Sequence, residues 1–470
     1  MSATPHRIAV ILAAGKGTRM RSAVAKPLHA VGGQPMLGWV LDAARAAGCD
    51  RLLIVVSPEA DALRRRFTAP DVEWVVQDEQ NGTGDAAARA EEPLAPLLES
   101  GEATLLVLSG DVPLVRPETL RRLLEAAERE GSWGAVAVAD LAVPGALGRV
   151  IGSGGHLQRI VEARDATPEE RAITTINAGL YALPARDLFD RLRRLTPDNA
   201  QGELYLTDAV TSAAADGENV ALVHLADPSE AWGVNDRRDL AQVHRRCCAR
   251  HLDTLMASGV TVLEPERTTV EATVTVGRDT VLHPGVNLQG TTHVGEGCTL
   301  HQGAWVRDTV IADGVTVEPY CVLDGAQVGD HGKVGPFARL RPGTVLDPEV
   351  KVGNFVEIKQ ARLHRGAKAG HLTYLGDAEI GPNTNIGAGV VTCNYDGERK
   401  HRTEVGSGAF IGSDTMLVAP VKVGDRATTA AGSVITKDVP DDALAVARKR
   451  QTVIDNWTER KARRREREDG

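Results

Sequence analysis

The side chains with the means to do chemistry fall in a few short segments. Gly15-Lys-Gly-Thr-Arg19 follows at once on the apolar run of residues 7–14. Glycines let backbone N–H groups approach phosphate oxygens, and Lys16 and Arg19 add positive charge. The segment is neither G-x-x-x-x-G-K-S/T nor G-x-G-x-x-G, and alone it serves equally as a tight turn. In Ser109-Gly-Asp-Val-Pro-Leu114 a carboxylate, Asp111, stands directly after another apolar run. That position suits a Mg2+ ligand beside a triphosphate, or a turn or helix cap. Gln80-Asn-Gly-Thr-Gly-Asp85 is a third backbone-rich loop. In the C-terminal half the polar reactive groups concentrate in two blocks: residues 362–373, with Lys368 and His371 followed by Tyr374, and residues 392–403.

Apolar runs at 7–14, 51–56, 73–76 and 104–108 read as buried strands, and helix-period segments fall at 36–47 and 86–98. Strands alternating with helices predict a mostly parallel, doubly wound sheet, Rossmann-like in class. Such sheets bind ligands outside the carboxyl ends of their strands, so Gly15 and Asp111 share one rim. Residues 236–258 are charged, with Leu240, Val243, Cys247, Leu252, Leu255 and Met256 near helical spacing, and read as a helical arm stopped by Gly259.

From about Val270 the period changes. Aliphatic residues recur every six positions, as in Val405, Ile411, Leu417, Val423, Thr429 and Ile435, or Val328, Val334, Leu340, Leu346, Val352 and Ile358. Val276, Leu282, Leu288, Val294, Leu300 and Val306 make an earlier run. Fixed-period self-similarity means a repeat architecture. Three hexads make one triangular coil, with the period-six residue inward and each coil laddered to the next as parallel strands. Single residues are skipped near Asp308 and Gln327. The blocks at 362–373 and 392–403 break the phase more deeply and are expected on the surface as insertions.

With 470 residues and a formal net charge of -9, the chain does not attract nucleic acid as a whole. Its 48 glycines and 3% aromatics suit repeated tight turns. The six cysteines (Cys49, Cys247, Cys248, Cys298, Cys321 and Cys393) form no C-x-x-C pair, which predicts reduced, mostly buried thiols. The first apolar run is too short for a secretory signal, and none reaches the roughly 18 residues of a membrane span. The expectation is a soluble cytoplasmic protein.

Leu12-Ala-Ala-Gly-Lys-Gly-Thr-Arg-Met20 with Lys26-Pro27 resembles the signature of sugar-phosphate nucleotidyltransferases. Gly82-Thr83, Gly110-Asp-Val-Pro113, Gly148-Arg149, Ile160-Val-Glu162, Asn177-Ala-Gly179, Gln201-Gly-Glu-Leu-Tyr-Leu-Thr-Asp208 and Gly233-Val-Asn235 extend the likeness to N-acetylglucosamine-1-phosphate uridylyltransferase domains. Gly335-Pro-Phe-Ala-Arg-Leu-Arg-Pro-Gly343, Gly353-Asn-Phe-Val-Glu-Ile-Lys359, Lys368-Ala-Gly-His-Leu-Thr-Tyr-Leu-Gly-Asp377 and Thr392-Cys-Asn-Tyr-Asp-Gly397 resemble glucosamine-1-phosphate N-acetyltransferase domains. The whole is similar to the bifunctional uridylyltransferase/acetyltransferase family. The resemblance implies a nucleotidyltransferase domain at 1–236, a helical linker at 237–258, a left-handed β-helix at 259–450 and a charged tail at 451–470.

It also implies roles. Leu12, Ala13, Ala14, Gly15 and Gln77 would contact uracil and ribose, and Gly82 and Thr83 would complete the base pocket. Arg19 and Lys26 would hold the UTP phosphates, and Asp111 and Asn235 would ligate Mg2+. Ser109 and Gly110 belong to the same nucleotide and sugar site, and Gly148, Glu162, Asn177 and Tyr205 would hold the N-acetyl sugar. His371 would be the general base of acetyl transfer, the side chain best poised to take an amine's proton near neutrality. Arg341, Lys359, Tyr374 and Asn385 would bind the amino-sugar phosphate. Ala388, Asn394, Tyr395, Ser413, Ala431 and Arg448 would bind acetyl-CoA. The family implies a homotrimer that acetylates glucosamine 1-phosphate and then uridylylates the product, acting as a UDP-N-acetylglucosamine diphosphorylase that feeds peptidoglycan and lipopolysaccharide precursors. Ser109, Ala178 and Pro27 depart from the family's usual Tyr, Thr and Val. A different nucleotide such as dTTP, with another acyl acceptor, is the alternative for an enzyme. A non-enzymatic assembly subunit would lack the charged groups that are present here.

Overall fold

Along the first strand, β1 (His6–Leu12), Ile8 and Val10 enter one buried layer while Ala9 and Ile11 enter another. A strand buried on both faces needs helices on both sides. The computed structural model describes residues 6–100 and 102–468 and separates into two units, Met1–Arg250 and His251–Gly470.

In the first unit, β1 is joined by β2 (Arg51–Val56), β3 (Val72–Val76), β4 (Ala103–Ser109), β5 (Gly134–Asp140), β6 (Arg149–Ser153), β7 (His156–Val161), β8 (Thr175–Pro184) and β9 (Val220–His224). The sheet order is β3-β2-β1-β4-β8-β5-β9-β7-β6. The first four strands are parallel, as the βα alternation requires. β8 then enters antiparallel between β4 and β5, with a register shift between Asn177 and Tyr181, and β6 and β7 form an antiparallel edge. Helices Met36–Ala46 and Pro117–Ala127 cover one face; Thr83–Ala88, Ala185–Leu192 and Leu206–Ala215 cover the other. The stretch read as one helix at 86–98 is two, Thr83–Ala88 and Glu91–Ser100. Helix Arg237–Ala257 covers the segment expected to be a helical arm, and Gly259 follows it at φ 101°.

The second unit is a parallel β-helix. Among the described residues its three faces carry eleven, ten and nine strands. The inward aliphatics Val276, Leu282 and Leu288 pair with Val294, Leu300 and Val306 three hexads on, and every residue of the three period-six runs is buried. At the skips near Asp308 and Gln327 the spacing shortens by one residue. Val294 still pairs with Ile311, and Ile311 with Val328.

One expected break is not an insertion. Residues 362–373 continue the coil: Arg362–Leu363 and Lys368–His371 are strands in register with their neighbours. Leu363, Ala369 and Leu375 fill the inward positions at six-residue spacing. The small Ala369 and one skipped residue hid the period. The block at 392–403 is a true insertion, after which equivalent positions lie 25 residues apart. Cys49, Cys247, Cys248, Cys298 and Cys321 are free buried thiols, and Cys393 is a free, partly exposed one.

Candidate functional sites

One cleft grows out of the carboxyl ends of β1 and β4. Beyond β1, Ala13 N donates to Val55 O at 2.8 Å, and Gly110 N donates to Leu12 O at 2.9 Å. The first bond ties the loop after β1 to the end of β2, and the second holds the loops after β1 and β4 side by side. Between them opens a cleft of about 300 Å³ lined by Leu12, Ala13, Ala14, Gly15, Lys26, Gln77, Gly82, Thr83, Ser109, Gly110 and Asp111. Eleven positions expected from the sequence thus meet in one cavity. Gly82 sits at φ 111°, where a side chain is strained, and a Cβ there would strike the Leu204 backbone. Gly84 N donates to Leu204 O at 2.7 Å, so glycine permits the close approach that seals this wall.

Charge gathers at the rim. The Lys26 ammonium pairs with Asp111 Oδ2, and Ser109 Oγ donates to Asp111 Oδ1 at 2.8 Å. Val234 N donates to Asp111 O at 3.0 Å, and Arg19 donates to Asn235 Oδ1 at 2.9 Å. Arg19 and Asn235 thus join the Asp111 segment, although neither lines the cavity. One carboxylate and one amide oxygen form an incomplete set of hard donors. That suits Mg2+, which keeps several waters and takes substrate phosphate oxygens rather than a full protein cage.

A second cluster stands apart from the cavity. Asn177 N donates to Gly148 O at 2.9 Å, Asn177 Nδ2 to the Tyr181 hydroxyl at 2.5 Å, and Thr207 Oγ1 to Glu162 Oε1 at 3.2 Å. Burial raises the Glu162 carboxyl above the usual glutamate range, opposed by the Thr207 hydroxyl. A Cβ on Gly148 would meet the Glu162 carboxylate at 3.4 Å. Tyr205 is buried, with its hydroxyl accepting from Gln201 Nε2 at 2.6 Å.

In the β-helix, His371 lies on a corner. Its Nδ1 is 2.7 Å from Asn354 Oδ1. Successive turns of that corner are tied by Leu372 N to Asn354 O, Gly389 N to Leu372 O, Asp414 N to Ala388 O and Gly432 N to Ser413 O, at 3.0, 3.1, 2.7 and 2.8 Å. His371, Ala388, Ser413 and Ala431 therefore share one column. Arg341, Lys359 and Tyr374 lie on the ten-stranded face, where Arg341 pairs with Glu357 at 2.8 Å. Asn385 lies on the eleven-stranded face, across the corner from them. Asn394 donates to Asp377 Oδ2 at 2.5 Å, close to Gly376 and the Tyr374 hydroxyl. Tyr395 is exposed, its hydroxyl donating to Gly397 O at 2.5 Å; Arg448 is exposed beyond the last strand.

Sequence reasoning passed over Lys400, which with Arg341 pushes the Lys359 ammonium below the usual lysine range. Three cations, Arg341, Lys359 and Lys400, thus gather in one place. It also passed over Gln80, whose side chain donates to Ala14 O, and Asp85, Glu203 and Thr207. All lie inside segments already singled out, but their partners are set by folding rather than spacing.

Residues 9–212 match the MobA-like NTP transferase domain, 266–365 the GMPPB C-terminal domain, and 402–437 the bacterial transferase hexapeptide of six repeats. The repeat match makes the coil a left-handed β-helix of hexapeptide repeats. "Bifunctional protein GlmU" of Geobacter metallireducens is 46% identical over 468 residues, covering 96% of this chain and 98% of that protein. The chain belongs to the bifunctional GlmU family. GlmU proteins of Trichlorobacter lovleyi and Alkalilimnicola ehrlichii are 48% and 49% identical, covering 96% and 95% of this chain and 97% and 95% of their own lengths. The chain is thus a bifunctional enzyme of UDP-N-acetylglucosamine synthesis, an N-acetylglucosamine-1-phosphate uridylyltransferase and a glucosamine-1-phosphate N-acetyltransferase.

Proposed function

We propose that acetylation comes first: the β-helix converts glucosamine 1-phosphate to N-acetylglucosamine 1-phosphate, which the N-terminal cleft then joins to uridylyl from UTP. The observation that carries the first site is the convergence of eleven expected residues on one cleft beside the Lys26–Asp111 pair. Two anions must be brought together for a sugar phosphate to attack the α-phosphorus. Positioning and charge neutralisation do most of this work. Lys26 and Arg19 hold the triphosphate and offset developing charge. Asp111 and Asn235 would hold Mg2+, which, when bound, would neutralise phosphate charge. Gly148, Glu162, Asn177 and Tyr205 hold the N-acetyl sugar.

In the β-helix, His371 accepts the amine proton as nitrogen attacks the thioester of acetyl-CoA. Arg341, Lys359 and Lys400 take the sugar phosphate, with Tyr374 beside them. Ala388, Ser413 and Ala431 lie along the corner as a track for acetyl-CoA. The division of Arg341, Lys359 and Tyr374 from Asn385 across a corner supports completion of the site by another copy. Tyr320, Phe337 and Phe355 stack on neighbouring coils at 5.5 and 5.4 Å, and together with Leu372 leave a corner column 48–61% exposed. An exposed apolar column of this length favours association, and we assign a homotrimer. No helix among the described residues is long and apolar enough to cross a membrane, which suits work in the cytoplasm on peptidoglycan and lipopolysaccharide precursors.

The reaction order is tested by supplying glucosamine 1-phosphate, acetyl-CoA and UTP together. N-acetylglucosamine 1-phosphate accumulates before UDP-N-acetylglucosamine; early formation of UDP-glucosamine would reverse the order. Light scattering tests the trimer, and a monomer at working concentrations would contradict it.

A further inference from the structure

Gln77 reaches the nucleotide cleft with one polar atom of its side chain uncommitted. Its Nε2 donates to Asp85 Oδ2 at 2.7 Å and to Gly82 O at 3.2 Å. Asp85 is buried, and Arg89 donates to its other oxygen, Oδ1, at 2.9 Å. A primary amide has two N–H donors and one carbonyl acceptor. A carboxylate paired with arginine and a backbone carbonyl only accept. Both amide hydrogens are therefore taken, and turning the amide over would set oxygen against oxygen at both contacts. Among the described residues nothing donates to Gln77 Oε1.

We infer that Asp85, held by Arg89, is a specificity-determining positioning residue: it locks Gln77 with Oε1 toward the base, so the cleft selects a pyrimidine bearing N–H at ring position 3. Uracil and thymine offer that donor. Cytosine has a bare nitrogen there, and its lone pair would face Oε1. A site built to hydrogen-bond one group rejects an analogue that leaves its own polar atom unpaired. Asp85 need not touch the nucleotide to do this.

The inference rests on the proposed seating of UTP in this cleft, and the test separates the two. Initial uridylyl and cytidylyl transfer to N-acetylglucosamine 1-phosphate are measured with UTP and CTP for the wild type and Asp85→Asn. The wild type prefers UTP by about 100-fold or more in kcat/KM. Asparagine can donate as well as accept, so Gln77 can turn, and the preference shrinks by about tenfold or more. A purely structural role would lower both rates together, and an unchanged ratio overturns the inference. Equal use of UTP and CTP by the wild type would instead overturn the seating of the base. Acetyl transfer by the same chain and its thermal unfolding report whether the variant folds. Should it not fold, wild-type protein titrated with UTP and with 3-methyl-UTP decides: the methyl group removes the N–H and weakens binding about tenfold or more, whereas equal affinity overturns the inference.

Discussion

His371 Nδ1 lies 2.7 Å from Asn354 Oδ1, and the two residues are register partners on neighbouring coils. An amide oxygen accepts, so a neutral ring would carry its proton on Nδ1 and its lone pair on Nε2, as the proposed general base requires. His371→Ala is expected to lower acetyl transfer by about 10²–10⁴-fold. Asn354→Ala, which frees the tautomer and the ring, lowers kcat by about tenfold. Thiol release from acetyl-CoA measures both; full activity in Asn354→Ala would show that the ring needs no such partner.

At the other site Lys26→Ala and Asp111→Asn each remove one side of the rim ion pair. Both are expected to reduce uridylyl transfer by about 10²-fold or more, because the charge proposed to offset the phosphates, or the carboxylate proposed as a Mg2+ ligand, is gone. Pyrophosphate release reports the loss. Titration with Mn2+ distinguishes the two: Asp111→Asn weakens cation binding, whereas Lys26→Ala leaves it in place.

Asp227 ties helix Arg237–Ala257 to the first unit through Arg246 and Arg250, at 2.7 and 2.9 Å, and accepts from Arg116 at 3.2 Å. Burial alone would raise this carboxyl, but the Ser229 hydroxyl and the arginines outweigh it and hold it below the usual aspartate range. A lowered folded pKa means stabilisation that is full above the unfolded value, about 3.9, and lost as pH falls through the folded one. Asp227→Asn should cost about 1–2 kcal/mol at pH 7, reduced by solvent around Arg116 and Arg246. Denaturant melts at pH 7 and pH 3 check this: the gap between wild type and variant narrows at the lower pH.

Much of this was readable in advance where periodicity and packing agree. Val405, Ile411 and Leu417 announce the coil because each repeat must bury the same inward position. Gly15 and Asp111 could be placed on one rim because both end buried parallel strands. The antiparallel β8 could not be read, since a strand buried on both faces looks alike in either direction. Residues 362–373 looked irregular because alanine at 369 weakens the inward signal. Lys400 and Asp85 carry no local mark; their partners come from chain segments that only the fold brings near.

Gly82→Ala adds a Cβ where the Leu204 backbone already sits, on a φ of 111°. The strain is about 1–3 kcal/mol, and the cleft wall must open. UTP affinity should fall in calorimetry while acetyl transfer is unchanged. Wild-type affinity would mean that the 82–84 loop does not border the base.

Two independent active sites in one polypeptide are the centre of this account. Asp111→Asn and His371→Ala, assayed side by side for pyrophosphate release and for thiol release, test it most directly. Each variant is expected to lose one reaction and keep the other near the wild-type rate. Loss of both reactions in either folded variant, or retention of both, would contradict it.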